Sequence, residues 1–302
     1  MASPSDRTFS LIRETTPGVL PSTGTLLPLD YIPGTMPSFQ SDMLTSPTLS
    51  ASRASQGARR TAFRVEGGFR LHFCRDSAVE TLLESALSGT WATNTLRAGA
   101  TDTHISIEQR LIEGAGSLYQ RFLGCQVSGF TLDCTYDGIA EASFDIIGMT
   151  RQTATTASSL TYAAVGTKPK LAGLDVSSVT IAGLAGVEYV SLSLAVRHNR
   201  EVQGQFGSAS PRGIGTSGFR SVTLSLKFYR ENFNPETVIG DTGLNVQFTI
   251  GAGVNGYTIR LPRAIGSLPV DEDEGSKSLV SVDFTAAYDA TEQTDLIITR
   301  LT

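Results

Sequence analysis

The chain has 302 residues, of which 40% are hydrophobic and 18% charged, with a net charge of −5. That apolar content supports a packed core and excludes global disorder, and the acidic balance argues against a dedicated nucleic-acid binder, which carries a basic patch or stripe. The length suits one large β domain or two smaller ones. Twenty of the 24 basic residues are Arg and four are Lys. Arg makes planar bidentate ion pairs and is enriched at interfaces, so the bias fits an assembling protein. Genomic base composition produces the same bias, and both readings stay open. The three cysteines, Cys74, Cys125 and Cys134, are odd in number and lack CxxC or zinc-like spacing. They read as buried small hydrophobes of a protein made in a reducing cytosol. The opening Met1-Ala-Ser-Pro-Ser-Asp lacks the basic and apolar regions of a secretory leader, and no stretch is apolar for long enough to cross a bilayer. The expectation is a protein that is soluble when made, with no membrane partner.

Seven of the twelve prolines precede residue 48, five of them in Thr16-Pro-Gly-Val-Leu-Pro-Ser-Thr-Gly-Thr-Leu-Leu-Pro28 and Tyr31-Ile-Pro-Gly-Thr-Met-Pro37. Pro lacks a donor, so this stretch cannot run far as a helix or central strand. It nevertheless carries Leu20, Leu26, Leu27, Leu29, Tyr31, Ile32, Met36 and Phe39. Residues 1–60 are therefore either a loop packed over its own domain or an extended arm that packs on a neighbouring subunit. A single β domain is expected over residues 61–302. Strands begin near Ala62, and Phe69, Leu71 and Phe73 alternate with Arg70, His72 and Cys74.

The only convincing helix spans about residues 77–88. Ser77 as N-cap with Glu80 three residues on suggests a capping box; Val79, Leu82, Leu83, Ala86 and Leu87 form one apolar stripe; Gly89 stands where a left-handed cap belongs. Trp91, directly after it, reads as a core plug. Further strands are expected at 103–110, 118–135, 140–148 and 187–199, then at 219–230, 244–250, 256–262, 279–288 and 295–301. Several share one pattern, apolar residues alternating with hydroxylated or charged ones: Phe130-Thr-Leu-Asp-Cys134, Val190-Ser-Leu-Ser-Leu-Ala-Val196, Val222-Thr-Leu-Ser-Leu-Lys-Phe228 and Val280-Ser-Val-Asp-Phe284. Successive side chains of a strand point to opposite faces, so these describe sheets with one face in a core and the other facing water or a partner. A polar stretch within 151–175 reads as a hinge or surface loop, and residues 200–218, with five glycines, as a long flexible connection that could reach a neighbour.

No stretch reads as an active site. His72, His104 and His198 are well separated, and no GxSxG, Walker, HExxH or CxxC motif occurs. Asp271-Glu-Asp-Glu-Gly-Ser lacks the alternating ligands and sixth-position Gly of a calcium loop and reads as a solvated loop. Arg53, Arg59, Arg60, Arg64 and Arg70 form a local basic region that could meet acidic groups of an adjacent subunit or simply face water. No catalytic residue, metal site or cofactor is expected.

The order of features then resembles that of the tail tube proteins of long-tailed, siphovirus-like bacteriophages. Phe9-Ser-Leu-Ile-Arg-Glu-Thr-Thr-Pro-Gly18 is similar to that family's opening phrase. The segment Ser46 to Arg60 leads into Val65-Glu-Gly-Gly-Phe-Arg-Leu71 and the short helix, then Ser106-Ile-Glu-Gln and Tyr119-Gln-Arg-Phe-Leu-Gly-Cys-Gln-Val-Ser-Gly-Phe-Thr-Leu132. Ala142-Ser-Phe-Asp-Ile-Ile-Gly148 resembles the family's return strand, and Tyr257-Thr-Ile-Arg-Leu-Pro262 a late one. The likeness is best over residues 8–150.

The resemblance implies a mainly β, sandwich- or barrel-like fold with one flanking helix, long loops and an extended N-terminal arm. It implies a structural, non-enzymatic virion protein, six copies of which form rings that stack into a hollow tube for DNA. Its partners would be further copies of itself, the tape-measure protein, and the tail terminator and tail-tip proteins, in a virion tail made in a host bacterial cytoplasm. Leu26, Leu27, Tyr31, Ile32, Phe39, Arg59, Arg60 and Phe206 are then candidates for contacts between subunits or rings, and Thr131, Asp133, Thr135, Ser191 and Ser193 for a wet lumen. Two other readings stand beside it: a β-sandwich receptor-binding or decoration protein of a virion, and a β-rich hydrolase acting on polysaccharide, which needs two carboxylates across a cleft.

Overall fold

The computed structural model describes residues 6–48, 57–114, 116–231, 234–240 and 242–302. In chain order, the first part holds β1 (Arg7–Arg13), β2 (Thr25–Leu29), β3 (Ser38–Thr45), β4 (Ala58–His72), α1 (Ser77–Leu87), β5 (Trp91–Ala92), β6 (Thr95–Arg97) and β7 (Ile105–Glu113). The middle holds β8 (Gly116–Thr135), β9 (Glu141–Gly148), β10 (Thr150–Ala154), β11 (Thr161–Tyr162), β12 (Val176–Ile181), β13 (Tyr189–Arg197), β14 (Arg200–Gln203) and β15 (Gly213–Thr216). The last part holds β16 (Ser221–Tyr229), α2 (Asn234–Val238), β17 (Leu244–Ile250), β18 (Tyr257–Gly266), β19 (Val270–Glu274), β20 (Lys277–Ala286) and β21 (Ile297–Arg300).

The strands form three sheets linked by hydrogen bonds, through the shared β8 and the β18–β20 pairing, in a sandwich-like, mainly β arrangement without a closed barrel. The first sheet runs β3-β4-β9-β8-β13-β16-β20-β19, antiparallel throughout. The second runs β12-β17-β18-β21-β6-β5. The third runs β10-β8-β7-β1-β2, with β11 added parallel to β2. One core joins them: Phe130, Leu194, Leu224 and Phe284 of the first sheet share it with Phe248 and Ile259 of the second. The inward face of α1, with Val79, Leu82, Leu83, Ala86 and Leu87, completes that core. Burying each such Val or Leu side chain stabilises the fold by about 1.5–3 kcal/mol.

The strand β8 belongs to two sheets. Residues up to Cys125 pair with β7, and residues from Gln126 pair with β9 and later β13. Register shifts flank the crossing, between Ile105 and Ile107 on β7 and between Val127 and Gly129 on β8. Gly124 stands at the bend with φ +64, and a Cβ there would lie 2.6 Å from Met149 Sδ. Bulges of this kind let one strand turn from one layer into the next. The carboxylate of Glu14 fixes the bend: it accepts hydrogen bonds from the Gly124 amide (2.8 Å), the Ser106 hydroxyl (2.7 Å) and the Gly18 amide (2.7 Å). The Glu-Thr-Thr-Pro-Gly phrase is therefore a buried acceptor followed by the turn it holds.

Several expectations are corrected. The helix begins after Asp76, not Ser77, and the N-cap side chain makes no capping bond. Its left-handed residue is Ser88 (φ 48), while Gly89 is needed for space, since a Cβ would sit 2.2 Å from the Arg97 carbonyl. Trp91 is half-buried, stacked near Tyr257 with the Arg300 guanidinium 3.9 Å above its ring. Residues 200–218 contain a hairpin, β14 against β15, instead of a loose connection. Residues 151–154, at the start of the expected hinge or surface loop, belong to β10 on β8, and Asp271–Glu274 belong to β19, an edge strand instead of a loop. The short α2 was not anticipated. The Pro-rich opening enters the third sheet, β1 lying between β2 and β7, so within one chain it packs over its own domain. Prolines remain confined: Pro28 pairs with Ser10 in the five-residue β2.

Candidate functional site: a hydroxyl-lined sheet face

The alternating strands come together on one side of the first sheet. Their apolar phase, such as Phe130, Leu132, Leu192, Leu194, Leu224, Leu226 and Phe284, is buried. Their polar phase forms continuous cross-strand rows on the opposite face. One row passes through Arg70, Ser143, Thr131, Ala195, Thr223 and Thr285. The next passes through His72, Glu141, Asp133, Ser193, Ser225 and Asp283, and a third through Thr135, Ser191, Lys227 and Ser281. All of Thr131, Asp133, Thr135, Ser191 and Ser193 therefore lie together on β8 and β13, partly or fully exposed. Sequence reasoning missed the rest of the surface, notably Ser143, Thr223, Ser225, Ser281, Asp283 and Thr285. Their signal was present in the same alternation; what it lacked was the strand order that makes them neighbours.

Hydrogen bonding and charge organise this face. Ser193 Oγ donates to Asp133 Oδ1 and Ser225 Oγ to Asp283 Oδ1, each at 2.5 Å. Among the described residues of the rows, every Lys or Arg is matched by a carboxylate. Arg70 pairs with Glu141 at 3.2 Å, and Lys227 pairs with Glu272 of β19 at 2.6 Å. Arg197, flanking the first row, pairs with Asp145 at 3.4 Å. The Lys227 ammonium also holds the Glu272 carboxyl below its ordinary range. Among the described residues Asp133 and Asp283 have hydroxyl partners and no cation, so the face is polar and weakly negative.

The remaining candidates are dispersed. Leu26 is fully buried in its own chain with Ile12 and Leu160, which leaves it no surface for a neighbour. Leu27 and Tyr31 pack on the core, Tyr31 edge-on to Phe9, and the Ile32 amide donates to the Arg70 carbonyl. Phe39 stacks on Phe63. Arg59 and Arg60 are exposed on β4, whereas Arg64 is held by Asp42 and Glu66 and Arg70 by Glu141, so the basic region divides; Arg53 lies outside the described residues. Phe206 is fully exposed in the β14–β15 loop.

The titratable groups that resemble catalytic residues in sequence are structural in their surroundings. His198 is half-buried with Nε2 donating to the Ala86 carbonyl at 2.7 Å; burial, helped by Arg200, pushes it down to about 4. Burial likewise lowers His104, which contacts Gln126. All three cysteines are buried, and burial raises each thiol, Cys134 to about 11, so they stay protonated and unreactive. The Arg200 guanidinium anchors the hairpin base, donating to the Ser88 hydroxyl and Asp102 at 2.7 Å and to the Ser85 carbonyl at 3.2 Å. Among the described residues no group of three His, Cys, Asp or Glu could hold a metal ion, and no helix is long and apolar enough to cross a membrane.

Among curated proteins, none matches the chain. The family model described as phage tail tube protein matches residues 4–286, a span that takes in β1, the bend of β8 and every row of the polar face. The chain belongs to the phage tail tube protein family.

Proposed function

We propose that this chain is the major tail tube subunit of a siphovirus-like virion, six copies closing into a ring and the rings stacking into a channel for DNA. Family membership supports the coarser statement, a structural protein that assembles into a bacteriophage tail tube. The hexamer and the channel face are our reading. The observation that carries it is the hydroxyl-lined face, on which each Lys or Arg among the described residues already has a carboxylate. DNA binds proteins largely through phosphate contacts to free Lys and Arg, with counterion release. A lumen without free cations, and with Asp133 and Asp283 accepting hydrogen bonds from serines, lets the duplex slide. On this reading Thr131, Asp133, Thr135, Ser191 and Ser193 line the channel, and Phe206 in its protruding loop contacts an adjacent ring. The tape-measure protein occupies the channel before DNA does, with terminator and tip proteins at the two ends. Edge strands expose unpaired backbone groups, and ring closure satisfies them.

Negative-stain electron microscopy of the purified protein over a range of concentrations tests the reading. Six-fold rings or tubes with a central hole are expected. A persistent monomer or trimer overturns it.

A further inference from the structure

The first sheet ends in two edges of opposite character. At one end, β3 pairs only with β4 among the described residues; its Met43 and Leu44 are 60% and 68% exposed. Their cross-strand partners are Arg60 and Arg59, both exposed and without an ion pair among the described residues. At the other end, β19 pairs only with β20 among the described residues, and Leu268 and Val270 are 82% and 56% exposed. Asp271 and Glu272 of β19 are held by Arg230 and Lys227, while Asp273 and Glu274 are exposed and hold no ion pair among the described residues. Each edge thus combines two exposed apolar side chains with two charges that hold no ion pair among the described residues, of opposite sign at the two edges, although Glu274 stands across from Lys277 in the β19–β20 ladder.

Direction agrees with charge. Seven successive antiparallel pairings separate β3 from β19. The two edge strands consequently point in opposite senses, and rotated copies set side by side bring β19 of one against β3 of the next as an antiparallel pair. The edges are also staggered. From the row joining Arg70 to Thr285, β3 begins toward one end of the strands, at Glu66, and β19 toward the other, at Ser281. Strands of a closed barrel are tilted and staggered, so an offset between the joining edges is what closure demands.

We infer that neighbouring subunits join through these edges, the β3–β4 hairpin of one copy docking on β19 of the next with Arg59 and Arg60 facing Asp273 and Glu274. The inference rests on the ring reading above and specifies its heterologous contact, which gives a ring when the repeated rotation completes a full turn. Charge also selects against wrong pairings: a row of carboxylates on β19 discourages two β19 edges from meeting.

The test is a charge swap in the full chain. R59E/R60E and D273K/E274K are made separately and combined, and the concentration needed for ring or tube formation is read by light scattering and electron microscopy at low salt. All four side chains are exposed, so unchanged circular dichroism and melting serve as the folding control. Each double variant is expected to need about tenfold more protein, and the combined variant to return near the wild-type value. Wild-type behaviour of either double variant, or failure of the combination to recover assembly, overturns the edge assignment and leaves the ring reading standing. If the unaltered protein forms no rings, the ring reading itself falls.

Discussion

Replacing Glu14 by Ala removes one acceptor from three donors at the point where the N-terminal strand, β7 and the bend of β8 meet. The three losses differ because the donors differ in access to water. The Gly124 amide is buried, and the Ser106 hydroxyl is 1% exposed, so neither is easily rehydrated. A buried donor left without a partner costs about 1–3 kcal/mol. Gly18 is half-exposed and water can replace most of its bond. Taking about 2 kcal/mol for the amide, about 1.5 for the hydroxyl and about 0.5 for Gly18 gives a loss near 4 kcal/mol. With about 2.1 cal/mol/K per residue over 302 residues, that loss lowers the melting temperature by about 6 °C. Urea unfolding of the unassembled protein, followed by fluorescence of the single Trp91, measures the change directly. The midpoint should fall with little change in slope. A loss below about 1 kcal/mol would show that the Glu14 contacts are dispensable and refute the account of the opening motif.

Three further outcomes are expected. Gly124→Ala should cost about 2 kcal/mol by urea unfolding, because φ +64 is unfavourable for Ala and its Cβ displaces Met149; an unaltered midpoint would contradict the bend geometry. His198 has a folded-state value near 4 against an ordinary 6.5, so the unfolded chain takes up the proton first as pH falls. The stability that the neutral ring contributes is complete above pH 6.5 and is lost progressively toward pH 4. His198→Gln should therefore flatten the pH dependence of the urea midpoint in the upper half of that window, with a residual slope from the similarly lowered His104; an unchanged slope would refute the assignment. Asp133→Lys combined with Asp283→Lys should make preformed tubes retain duplex DNA in sedimentation, releasing it as salt rises. Equal retention by unaltered tubes would place those two residues away from the channel.

How much of this was legible beforehand follows from the range of the interactions. The strand content and its two faces were legible because alternation is a local property: Val222-Thr-Leu-Ser-Leu-Lys-Phe228 can bury one phase in only one way. The helix was visible in its apolar stripe, although its termini were not, since Ser88 takes the left-handed turn and Gly89 serves a close approach to Arg97 from a distant strand. The Gly-rich stretch 200–218 looked loose because nothing local reveals that Arg200 will be enclosed by Ser85, Ser88 and Asp102, about a hundred residues earlier. Four adjacent acids in β19 resembled a loop for the same reason: strand propensity there yields to pairing with β20.

Sequence alone, then, determined the long alternating strands and α1, the absence of catalytic motifs and the residue types of a polar sheet face, because each depends on neighbours a few positions away. Only the tertiary structure decided that β4, β9, β8, β13, β16 and β20 stand side by side. It alone matched the cations to carboxylates, buried Leu26 within its own chain and left β3 and β19 as opposite edges. Those outcomes depend on strand order, which is set by packing and pairing between segments far apart in the chain and leaves no trace in local periodicity.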